Sequence, residues 1–145
     1  MQLYDRVAPD ATVVRFYSGI AGSIVVTVGI LGFIRVFVRD DHLFGLYQIN
    51  ALHNLVHIIT GLPGIFFVFY RRGRFALVYL LSLGFLYAVL TLFGFVYNGD
   101  FFDLAYFNLD DNLLHAGIAV TTLLMTIHIM LAQPELLDSN ALAKL

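Results

Sequence analysis

Four stretches of this chain are too apolar, over too great a length, to belong to a protein folded in water. Phe75 to Tyr97 is the longest, twenty-three residues without one charged side chain. Phe16 to Ile34 is a second, bracketed by Arg15 and Arg35, and Asn50 to Tyr70 and Leu113 to Ala132 complete the set. A helix rises 1.5 Å per residue, so about twenty such residues cross a hydrocarbon core of about 30 Å. Backbone groups in lipid must be satisfied within their own segment, which makes each stretch a helix. The chain as a whole agrees: hydrophobic residues make up 60% of it and charged residues 12%, far from the soluble balance. The expected fold is all-α, a polytopic membrane protein of one domain, 1–145, with spans at about 13–38, 50–70, 75–97 and 112–132. Met1 to Asp10 has no small-residue cleavage site behind a short apolar core, so the first span is read as a retained helix.

Charge sets the expected orientation. Arg71, Arg72 and Arg74 crowd the tightest connection, which the positive-inside rule puts in the cytoplasm. Both termini then face the cytoplasm, and Asp40, Asp41, Asp100, Asp103, Asp110 and Asp111 fall outside. A net charge of -2 gives no basis for a nucleic-acid partner, and the absence of cysteine excludes disulfides and thiolate ligands. Membrane lipids are the expected surroundings. Gly19, Gly22, Gly29 and Gly32 line the first span at small-residue spacing, an expected packing face. Pro63, between Gly61 and Gly64, marks an expected weak point in the second span.

Sliding the chain against itself by 62 positions, without a gap, brings Tyr17 onto Tyr79 and Gly22 onto Gly84. It also brings Gly32-Phe33 onto Gly94-Phe95, Asn50 onto Asn112, and Leu52-His53 onto Leu114-His115. Each half is then a two-helix hairpin, and the halves are expected to be parallel repeats about an axis along the membrane normal.

Polar residues open the second and fourth spans. Asn50, His53, Asn54 and His57 share one helical stripe, and Asp111 or Asn112 shares one with His115. Such groups are costly in a membrane and face the bundle interior, so the two stripes are expected to meet near the outer surface. Four uses suit them. A hydrogen-bonded latch between the second and fourth helices needs no ligand, with Asn50, Asn54 and Asn112 as its polar framework. A transition-metal site takes its ligands from His53, His57, His115 and Asp111. Haem b would be held by His53 and His115, with Arg35 near a propionate. A proton or small-solute path through Asp111, His115, His57 and His53 is the transport form of the same cluster. His42 is a loop histidine, and His128 lies about 20 Å deeper than His115 by helical rise. No nucleophile–base pair or phosphate loop is visible, and no catalytic residue is assigned.

The ordered set Gly29-x-x-Gly32-Phe33, Leu52-His53-Asn54-Leu55-Val56-His57 with Thr60-Gly61 and Gly64, then Asp111-Asn112-x-Leu114-His115-x-Gly117 resembles the membrane proteins of domain-of-unknown-function family 4383. The likeness runs from Arg15 to about Leu131. It implies a four-helix, multi-pass protein of the bacterial inner membrane and supplies no catalytic residues. The expectation that follows is a non-enzymatic scaffold or accessory subunit of a larger membrane complex, or a homo-oligomer. Its glycine-rich first helix and aromatic loops would be the contact surfaces. The alternative is a metal- or haem-binding redox or transport protein built on the same histidines.

Overall fold

The computed structural model describes residues 11–70, 73–102 and 104–137. Four helices dominate: α1 (Thr12–Leu31), α2 (Ala51–Phe69), α3 (Gly73–Val96) and α4 (Leu109–Ala132). All four are long and apolar enough to cross a membrane. The bundle is inside-out relative to a soluble one. Phe16, Ile24, Phe66, Phe85 and Leu124 are among the large apolar side chains on its outside, whereas Ser18, Asn54, Asn112 and Thr126 are buried. That distribution suits acyl chains as the solvent. Arg71, Arg72 and Asp103, which entered the orientation argument, and Met1 to Asp10, which entered the reading of the first span, lie outside the described residues.

α1 packs chiefly on α2, and α3 chiefly on α4. The first pair is the closer, because glycine faces glycine at its crossing. A Cβ on Gly22 would stand 2.5 Å from the Gly61 carbonyl oxygen, and one on Gly61 would stand 2.6 Å from that of Gly22. The Ser18 hydroxyl donates to the Gly64 carbonyl at 3.0 Å, tying α1 to the helix just past Pro63. The glycine stripe is therefore used up inside the molecule. It is not a surface for a second protein.

α1 ends at Leu31, earlier than the expected 38. A 3-10 turn (Arg35–Phe37) and a small antiparallel sheet of β1 (Val38–Arg39), β2 (His42–Leu43) and β3 (Tyr47–Gln48) occupy the connection to α2. β4 (Asp100–Phe101) and β5 (Ala105–Tyr106) form a second hairpin between α3 and α4. The two hairpins repeat each other in detail at an offset of 58 residues. His42 pairs Gln48 and Leu43 pairs Tyr47, as Asp100 pairs Tyr106 and Phe101 pairs Ala105. Asp40, Asp41 and Phe44 have φ of 49°, 58° and 56°; Asn98, Gly99 and Phe102 have 52°, 89° and 55°.

The 62-residue register therefore holds only for α1 against α3, where Gly32 packs on Asn54 and Gly94 packs on Asn112. For the hairpins and the helices after them the register is 58. The cause is one length difference: Asp40 follows Gly32 by eight residues, and Asn98 follows Gly94 by four. Four residues are about one helical turn, so a gapless comparison still finds like residues on like faces. It pairs His53 with His115, whereas the structural counterpart of His115 is His57. The counterpart of His53 is Asp111.

Candidate metal centre

The first turns of α2 and α4 are built by the same device. Asn50, in extended conformation, caps α2 by accepting the His53 backbone N–H at 2.7 Å. Asn108 caps α4 by accepting that of Asp111 at 2.9 Å, and the Asp111 carboxyl accepts the Asn108 N–H in return. Each capping amide also uses its other end. Asn50 Nδ2 donates to the Leu104 carbonyl at 2.9 Å, and Asn108 Nδ2 donates to the Leu46 carbonyl at 2.6 Å. The two bonds are reciprocal under the 58-residue register, as a local two-fold between the hairpins requires. Asn50 is thus exposed at the helix entrance. It stands outside the buried cluster in which helical periodicity had placed it, because an N-cap residue leaves the helical path.

One turn into the helices, His53, His57 and His115 converge. They are 6%, 3% and 1% exposed. One ring nitrogen from each lies within 4.8 Å of the others. His53 and His57 stack at 4.8 Å between ring centroids, and His115 meets them at 5.8 Å and 6.0 Å. Phe107 roofs the cluster, edge-on to His53 and His115 at 5.3 Å and 5.0 Å.

The hydrogen bonds fix the tautomers. A carbonyl only accepts, so His53 Nδ1–H donates to Gln48 O at 3.0 Å and leaves His53 Nε2 bare. His57 Nε2, 3.0 Å away, must then donate to it. His57 Nδ1 is left to accept the Tyr87 hydroxyl at 2.8 Å. The chain Tyr87–His57–His53–Gln48 joins α3, α2 and the first hairpin. The expected latch joined α2 to α4; the bonds instead reach α3, through a tyrosine that sequence reasoning passed over. His115 Nδ1 is buried without a partner.

Asp111 is buried in the cap, where its Oδ2 accepts from the backbone N–H of both Asn108 and Gln48 at 3.0 Å. It is not one of the three converging side chains. Asn54 and Asn112 are buried against Gly32 and Gly94, each with its Oδ1 unpartnered. Arg35 is exposed in the 3-10 turn. A porphyrin needs a clear plane between its two axial rings, and His57 stands against both His53 and His115. The arrangement does not fit haem b. His42 contacts the Asp40 carbonyl in its own turn, and His128 is exposed on α4.

The three imidazoles can share one ion once the rings turn inward, since two nitrogens bound at about 2.1 Å stand at most about 4.2 Å apart and these lie within 4.8 Å of one another. Two nitrogens bound at about 2.0–2.1 Å in tetrahedral geometry sit about 3.3 Å apart, close to the 3.0 Å between His53 and His57 Nε2. Gln48 O and the Tyr87 hydroxyl already hold the outward nitrogens of those rings, the role of orienting partners in metal sites. Moving the His57 proton from Nε2 to Nδ1, with the Tyr87 oxygen then accepting, frees both Nε2 atoms for an ion.

No curated protein and no solved structure matches the chain. Residues 15–128 match the family described as domain of unknown function (DUF4383), and the chain belongs to that family.

Proposed function

We propose that this integral membrane protein binds one transition-metal ion through His53, His57 and His115. The observation that carries the reading is the convergence of three buried ring nitrogens within 4.8 Å. A cluster serving only as a latch accounts for His53 and His57 but leaves His115 Nδ1 buried and unpaired, which costs about 1–3 kcal/mol. The uncharged three-nitrogen set suits zinc, copper or iron. With the basic connection at Arg71 to Arg74 on the cytoplasmic side, the centre lies near the opposite face, one helical turn below the hairpins. Elemental analysis of protein purified in mild detergent and equilibrated with each metal tests this. One ion per chain is expected, lost in His115→Ala and kept in His128→Ala. A metal-free protein with its three histidines intact would sink the reading.

The scaffold or accessory-subunit reading stands second. The continuous chain from Tyr87 to Gln48 favours it, because those bonds join three elements without an ion. Copurification of a stoichiometric partner in mild detergent supports it, and a lone monodisperse chain counts against it.

A further inference from the structure

A chamber of about 270 Å³ lies directly against the cluster, and all three histidines and Tyr87 line it. Its other walls are apolar: Val56 of α2, Leu90 of α3, and Phe101 and Phe107 of the second hairpin. Leu52 and Leu104, 43% and 55% exposed, also border it and form its mouth at the hairpin end. Among the described residues, no charged side chain lines it. Resting on the metal reading above, we propose that the ion keeps a coordination position open to this chamber, where a small molecule with one lone-pair donor and an apolar body binds.

The ligand count argues for the open position. Three protein nitrogens and a vacant fourth place are the arrangement of sites that exchange ligands, whereas closed structural sites use four protein ligands. Asp111, the fourth member of the expected ligand set, is held in the α4 cap. The chamber sets the class of guest. Its volume is below the usual range for drug-sized ligands and equals about nine waters at 30 Å³ each. A single small ring fits. Apolar walls exclude a cation, whereas the ion itself, held by three neutral imidazoles, is a counter-charge for an anion. Among the described residues, only the imidazoles and the Tyr87 hydroxyl offer polar contact beside the ion.

Cobalt(II) reports on this position through its visible bands. Protein loaded with cobalt is titrated with pyridine and, separately, with thiocyanate. Pyridine and thiocyanate are each expected to shift the bands saturably. Leu90→Phe and Val56→Phe, which fill the chamber from different helices, are expected to keep one cobalt per chain and lose the pyridine response. Cobalt bound at one per chain with bands unmoved by pyridine overturns the open position and leaves the metal reading standing. Failure to bind cobalt overturns both readings.

Discussion

The two hairpin-and-helix units differ most where they are most alike. Both helices start at an asparagine cap, both caps reach the opposite turn, and both carry a buried asparagine against a glycine four residues after the cap. At the third helical residue they part: His53 in one unit, Asp111 in the other. Asp111 closes a capping box and accepts a bond from Gln48. His53 turns its ring inward onto His57 and holds the Gln48 carbonyl instead. A two-fold framework thus delivers an asymmetric site, three histidines where perfect repetition would give two or four. The framework sets position, and one substitution sets chemistry.

The largest expected effect comes from erasing that difference. His53→Asp makes the first unit copy the second and removes one of three ligands. Metal affinity is expected to fall by roughly three orders of magnitude, while an acid at this position preserves the cap. Competitive chelation measures the first and thermal unfolding the second; unchanged affinity would remove His53 from the site. Asp111→Ala attacks the other unit. It strips the acceptor from the Gln48 and Asn108 N–H groups and is expected to cost about 3 kcal/mol of stability. Metal stoichiometry should survive, and its loss would make Asp111 a ligand after all.

Smaller effects test the framework. A Cβ on Gly94 meets Asn112 more closely than one on Gly32 meets Asn54, so Gly94→Ala is expected to cost about 2 kcal/mol and Gly32→Ala less. Equal costs would show that the two asparagines yield alike. Asn50→Ala and Asn108→Ala should each cost about 1 kcal/mol. Because both bonds join the same two turns, the double variant should depart from additivity by about 0.5 kcal/mol. Strict additivity would mean that the hairpins hold together without them.

The four helices were legible because lipid leaves no alternative to a helix for an uncharged run of about twenty residues. The convergence of His53, His57 and His115 was legible because polar residues at helical spacing have to face inward. Three other features were harder to see. The hairpins hid in short connections, although Asn98-Gly99 is a turn signal and Asn108 with Asp111 has the spacing of a capping box. Tyr87 lies mid-span among apolar residues, and periodicity does not separate a tyrosine that packs from one that also bonds a histidine. The register error has its own cause. An insertion close to one helical turn leaves every face unchanged, so only the turns themselves reveal it.

The reciprocal asparagine bonds bear on the order of assembly. Each hairpin with its two helices can insert into a membrane as a unit, since its close packing is internal to it. The first unit brings His53 and His57, and the second brings Tyr87 and His115. Neither holds a complete centre. The centre comes into being when the two turns meet and each amide finds the carbonyl of the other unit. On the metal reading proposed above, full occupancy is a late event in folding, and its appearance reports that both halves have found each other.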